Sequence, residues 1–177
     1  MHGTRSLWPL LDDVLEAVDV PVVAAGGIAT ARGVAAALAA GASAARVGTR
    51  FVATRESGAH ERYKQALVNA EGGDSVMTEA YAVLWPDEVK TSRVLRQSLV
   101  AAANAPDVVG TLRVGDQDLQ LPRYAVAPPT AAASGTVEAM PMYAGEGVGA
   151  IHAVEPAADV VRELVDGATE LLRAAQP

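Results

Sequence analysis

Two short apolar runs, each closed by glycine, constrain this chain more than any other feature. The first is Val20-Pro21-Val22-Val23-Ala24-Ala25, followed by Gly26-Gly27; the second is Ala44 to Val47, followed by Gly48-Thr49-Arg50. A continuous run of small apolar residues, with no polar alternation, suits a parallel strand buried on both faces. Pro21, near the start of its run, removes only a terminal ladder donor. Between the runs, Thr30 reads as the N-cap of a helix from about Ala31 to Ala40, closed by Gly41. A second helix is predicted from about His60 to Ala70, with Tyr63, Ala66 and Leu67 inward. The order strand, helix, strand, helix describes a βαβα unit, and such units build parallel sheets with outer helices.

The flanks read less regularly. Leu10 to Val18 has apolar residues at helical spacing, with Asp12, Asp13 and Glu16 on the other face. Beyond Gly72-Gly73 the pattern changes. Ser75 to Leu84 reads as extended and closed by Trp85-Pro86, and Arg93 to Asn104 as helical. Val109 to Val114 and Gln117 to Leu121 form a hairpin around Gly115-Asp116. Pro122 to Gly135, rich in Pro, Ala and Ser, reads as a surface connection. Pro156 opens a last helix, to about Ala174.

Composition removes several classes of function. The chain has 177 residues and no cysteine, which excludes a disulfide scaffold, a thiolate metal site, an iron–sulfur cluster and a Cys nucleophile. A net charge of −7 and a pI near 4.9 argue against nucleic-acid binding, and the twelve arginines are scattered rather than striped. Aromatics are only 4% of residues, so the core must be mostly Ala, Val and Leu. The start, Met1-His2-Gly3-Thr4-Arg5-Ser6, lacks the charged-then-apolar pattern of a signal peptide. The most apolar run, Val34 to Ala45, falls short of the about 18 residues a membrane span needs. A cytoplasmic protein with no membrane partner is the expectation.

Chemistry is best placed at the two glycine turns. Glycine lets a ligand approach the backbone, and each following helix offers N–H donors. Two such ends on adjacent parallel strands can grip one phosphate, as the loops after strands 7 and 8 do in (β/α)8 barrels. The same glycines could simply turn the chain, and the pattern alone leaves both readings open. Gly145-Glu146-Gly147-Val148-Gly149 lacks dinucleotide-binding spacing and reads first as a flexible turn. His60 and His152 have no partners at metal-ligand spacing. Ser6, Ser43 and Ser57 lack a nucleophile elbow. Glu61, Glu71 and Glu79 read as solvated charges, and Trp8 and Trp85 as packing anchors.

The stretches Val20-Pro21-Val22-Val23-Ala24-Ala25-Gly26-Gly27-Ile28, Gly33-Val34-Ala35-Ala36-Ala37-Leu38, Gly41-Ala42-Ser43-Ala44 and Gly48-Thr49-Arg50-Phe51 resemble the C-terminal part of nitronate monooxygenases, formerly called 2-nitropropane dioxygenases. Trp85-Pro86, Arg93-Val94-Leu95-Arg96, Pro122-Arg123-Tyr124, Pro128-Pro129-Thr130 and Tyr143-Ala144-Gly145-Glu146-Gly147-Val148-Gly149 extend the likeness over nearly the whole chain. The resemblance implies an FMN-dependent (β/α)8 barrel that oxidises alkyl nitronates with dioxygen to a carbonyl compound and nitrite. Flavin-dependent enoyl-thioester reductases share the glycine pair and are the second enzyme reading. By the resemblance, Gly26 and Gly27, with Arg46, Val47, Gly48 and Thr49, bind the FMN phosphate. The family usually has Gln at position 46, and often Gln where this chain has Glu146.

A complete barrel of this kind needs about 250 residues. The fold expected here is therefore a partial (β/α)8 TIM barrel of class α/β, its last two βα units in residues 1–72. An α+β appendage occupies residues 73–177. The family's catalytic His lies in a Gly-Gly-His-x-Gly motif. If Gly3 is its last glycine, that His falls at position 1 or upstream; a shifted alignment makes His2 the catalytic residue instead. The chain then reads as an enzyme cut at its active-site motif. A non-catalytic fragment that self-associates or pairs with an N-terminal half is the reading from outside enzymology.

Overall fold

The computed structural model describes residues 5–85 and 91–176. Helix α1 (Leu7–Ala17) leads into strand β1 (Val23–Ala25), helix α2 (Ala31–Ala39) and strand β2 (Ala44–Arg46). The Thr30 hydroxyl accepts a hydrogen bond from the Gly33 N–H at 3.1 Å, which satisfies an otherwise orphan donor at the start of α2. β1 and β2 pair in parallel, Val23 opposite Ala44 and Ala25 opposite Arg46, so the βαβ unit forms as its sequence pattern requires. A single turn, α3 (Thr49–Val52), follows directly on Gly48, and α4 (Glu61–Val68) completes the unit. His60 caps α4, its Nδ1 accepting from the Arg62 N–H at 3.1 Å.

One expectation about this unit fails. The strand is shorter than the apolar run, and it is not buried on both faces. Within β1 only Ala24 is buried, whereas Val23 is 55% and Val20 66% exposed. Leu11, Ile28, Ala37 and Ala42 cluster around Ala24 on one side. Among the described residues nothing covers Val23 on the other.

Strands β3 (Ser75–Thr78) and β4 (Ser92–Leu95) form an antiparallel pair, and α5 (Arg96–Ala103) follows β4 without a loop. Extended structure after Ser75 therefore stops at Thr78, and residues 93–95, read from sequence as helix, are strand. Val94 pairs with Val76 and bridges Tyr143, while the Leu95 N–H donates to the Met142 carbonyl at 2.8 Å. These partners lie far away in the chain, and a helix at 93–95 would give them up.

The hairpin forms as read, β5 (Val108–Val114) and β6 (Gln117–Pro122) around Gly115-Asp116. The connection after it is no surface loop: Ala125, Pro129 and Ala133 are buried. Strand β7 (Ala133–Gly135) pairs with the other edge of β5. Helix α6 (Ala157–Ala174) lies against α2, with Pro156 at its N-cap rather than in its first turn.

Two larger clusters hold the molecule together. One combines Tyr63 and Leu67 with Leu95, Met142, Val148 and Ile151, so it draws on both sides of residue 72. The other packs Tyr81, Val94, Val109, Leu121 and Met140 under the three-stranded sheet. No helix among the described residues is long and apolar enough to cross a membrane.

Candidate active site

Gly26, Gly27, Arg46, Gly48 and Thr49 line one cavity of ≈ 820 Å³, at the C-terminal ends of β1 and β2. That volume is within the range of about 300–1,000 Å³ typical of cofactor and small-molecule sites. Gly26 and Gly27 have φ of +123° and +70°, a conformation in which a side chain is strained. Next to Gly48 the space is open: a Cβ placed there meets nothing within 4 Å. Val47 does not line the cavity; it packs, partly buried, against the cluster around Ala24. His2 lies outside the described residues.

The glycine-rich segment is not a flexible turn. Residues Glu146–Ala150 form a 3-10 turn wedged between two loops. The Gly145 N–H donates to Thr49 Oγ1 at 3.0 Å. Gly147 sits so close to the Gly27 carbonyl and the Ala29 methyl that a Cβ there would collide with both. Gly149 packs equally close against the Gly72 backbone. Glycine here serves close approach, a signal that spacing rules for phosphate loops do not contain.

Charge in the cavity comes from two arginines. The side chain of Arg46, at the end of β2, makes no hydrogen bond or ion pair among the described residues, and the residue is exposed. Arg93 is tethered: it donates to the Ser75 carbonyl at 3.0 Å and pairs with Glu146 at 2.6 Å. No His, Asp or Glu is among the described lining residues. The described lining is therefore suited to an anion and offers no carboxylate or imidazole as a general base.

The opposite wall was not legible as a site in the sequence. Tyr63, Tyr143, Trp85 and the Pro128-Pro129-Thr130 stretch form it. The Tyr63 hydroxyl donates to the Tyr143 carbonyl at 2.5 Å, and the Tyr143 hydroxyl to the Val126 carbonyl at 2.8 Å. Burial, with a smaller contribution from a neighbouring tyrosine, pushes the Tyr143 phenol up to about 12 and raises that of Tyr63 as well. Both hydroxyls are thus committed to the backbone and held neutral, so they shape the wall rather than transfer protons. Trp85 belongs to this wall, whereas Trp8 is 45% exposed and lies outside the wall. His152 is exposed.

Residues 1–167 match the sequence profile of the family described as nitronate monooxygenase. The chain belongs to that family. A probable nitronate monooxygenase of Staphylococcus aureus is 42% identical over 82 residues, which is 46% of this chain and 22% of that protein. The solved nitroalkane oxidase of Streptomyces ansochromogenes superposes with a TM-score of 0.68 at 32% identity, over 97% of this chain and 46% of that one. FabK from Thermotoga maritima gives a TM-score of 0.67 at 27% identity, over 97% of this chain and 51% of that one. The chain thus spans about half the length of these solved relatives. For a family member, the cavity is where family chemistry has to be sought, because both glycine turns open into it.

Proposed function

We propose that the cavity takes FMN and that the chain is the C-terminal portion of an enzyme oxidising alkyl nitronates with dioxygen to a carbonyl compound and nitrite. The observation that carries this reading is the meeting of the Gly26-Gly27 and Gly48-Thr49 turns, with Arg46, at one mouth of one cavity. The residues fit the group. Open space beside Gly48 and the unpaired guanidinium of Arg46 suit a phosphate, and the aromatic and proline wall suits a flat ring system. A bound flavin would supply the electron-accepting chemistry that protein side chains lack. On this reading residues 1–72 are the last βα units of a (β/α)8 barrel, and residues 73–177 fold over the cavity as its appendage.

The lining residues also bear on the substrate. A nitronate is already deprotonated and anionic, so its binding uses Arg46 and Arg93 and its oxidation needs no base. A neutral nitroalkane needs a proton acceptor, which the described lining residues do not provide. His2 is the group proposed for that task. The uncovered face of β1 is where an N-terminal half, or a second copy of the chain, would pair.

The test is purification of the chain with added FMN, followed by its visible spectrum and by oxygen uptake with alkyl nitronates and with the parent nitroalkanes. A bound flavin spectrum and uptake with nitronates are expected; uptake with the parent nitroalkanes as well assigns the base to His2, and its absence sets His2 aside. Absence of flavin binding sinks the reading for this chain on its own. The second reading, a flavin-dependent enoyl-thioester reductase, rests on the glycine pair that the resemblance shares with those enzymes. It gains if an enoyl thioester drives NAD(P)H oxidation while nitronates are inert.

A further inference from the structure

The two glycine turns can act on one phosphate only if they keep a fixed separation, yet the strands that carry them share just three paired positions. Two elements outside the sheet reach both turns: the glycine-rich segment, through Gly145 and Gly147, and helix α6. Helix α6 packs along α2, the helix that follows Gly26-Gly27, and it also contacts α3, the turn that follows Gly48. At the α2 end, Gly167 lies so near Ala31, the first residue of α2, that an added Cβ would stand 2.7 Å from the Ala31 methyl. At the α3 end the link is ionic. Arg50, next to Thr49, is only 4% exposed and pairs with Glu155 just before α6, and with Glu163 on α6 at 3.7 Å.

Backbone contacts repeat the ionic link. Thr54 bridges Glu155, the Arg55 N–H donates to the Glu155 carbonyl at 3.0 Å, and the Ala157 N–H donates to Glu56 at 2.8 Å. The start of α6 is thereby stitched to the segment that leaves the Gly48-Thr49 turn. Arg50 is an inefficient way to gain stability alone: it is a buried cation, and its Nη1 is buried without a hydrogen-bond partner. What a two-carboxylate clamp on a planar guanidinium gives is orientation.

We infer that α6 is a brace that sets the spacing of the two phosphate-facing turns, and that Arg50 is its positioning residue, acting on the phosphate through Thr49 rather than by contact. Arg50 does not line the cavity. The inference rests on the reading that the cavity takes FMN by its phosphate, and it separates from it experimentally.

The experiment compares FMN with riboflavin, which lacks the phosphate, on the full chain and on Arg50→Met, Glu155→Gln and Gly167→Ala. Urea midpoints are measured alongside. Misplaced turns weaken FMN by about tenfold and leave riboflavin within about twofold, the scale on which a lost supporting contact loosens a bound group. Glu155→Gln serves if Arg50→Met does not fold, since Glu155 is 41% exposed and its loss leaves the buried arginine in contact with Glu163. Arg162→Gln, which removes an exposed pair with Asp159 on the same helix, is the control and leaves the FMN-to-riboflavin ratio unchanged. Equal weakening of both flavins, or an unchanged ratio in all three variants, overturns the brace. If the parent chain binds neither flavin, the cofactor reading fails and amide hydrogen exchange decides the brace. Faster exchange at residues 26–30 and 48–50 in the variants, at an unchanged urea midpoint, then supports it; unaltered exchange there overturns it.

Discussion

The two sides of the cavity are built to different standards of closure. On the β1–β2 side the core is a handful of small residues around Ala24, and Trp8, Leu10, Val18, Val20 and Val23 all stand more than a third exposed. On the other side Leu67, Leu95, Met140, Met142 and Ile151 are fully buried, and the segment from 137 to 151 threads between two clusters. This side is a closed core drawn from both sides of residue 72, whereas the parallel pair presents an uncovered apolar face. The glycine turns and the closed core are therefore on different sides of the cavity, and both sides line it. The glycine turns belong to the weakly packed half and are held in place by the strongly packed one, through Gly145, Gly147 and the start of α6.

The largest expected effect breaks this contrast at the closed core. Leu95→Ala removes a fully buried side chain and should cost about 3 kcal/mol of stability, read as a fall in urea midpoint. An effect as small as that of a surface substitution would show this core to be no firmer than the strand pair. Gly147→Ala comes next, because it forces a methyl onto the Gly27 carbonyl. About 2 kcal/mol of overpacking is expected, together with loss of FMN binding, checked by flavin titration. If FMN affinity is kept while stability falls, the glycine segment supports the core but not the turn.

Alkaline pH sharpens the same comparison. Burial raises the phenols of Tyr81 and Tyr143 from about 10 to about 12, and that of Tyr63 too, so the folded form keeps protons that the unfolded chain sheds. Their contribution is whole below pH 10 and is lost as pH rises towards 12, so unfolding in that window should coincide with tyrosinate absorbance. Tyrosinate appearing near pH 10 in still-folded Tyr124→Phe protein, which keeps only these three tyrosines, would contradict this. The smallest effect is at the open face. Val23→Thr should change stability by less than about 0.5 kcal/mol yet reduce self-association, measured by sedimentation. A large loss of stability there would mean that a partner copy already covers the strand.

What could be read from the sequence was what is decided locally. The Thr30 cap, the Gly115-Asp116 hairpin and the βαβ order each depend on neighbours in the chain, and each is present. Arg93-Val94-Leu95 was misread because its apolar spacing suits either element, and only distant pairing with Val76 and Met142 decides for strand. The cavity wall was hidden for the same reason. Pro129 reaches it by accepting from the His60 N–H, and Thr130 by a bridge to Ala59, about seventy residues back in the chain, where no local pattern operates. The glycine turns were visible as glycine pairs, and Val47, grouped with them by the resemblance, packs its side chain against the cluster around Ala24.

Arg46 and Arg93 line the cavity of a chain whose net charge is −7. Near the surface an approaching anion meets a net negative molecule, and beyond a Debye length of about 8 Å the two arginines, like every other charge, are screened. Only inside the mouth do they dominate. Preference for anions should then be written in how long a ligand stays, with residence times that shorten steeply when either arginine is neutralised, and hardly at all in how often one arrives.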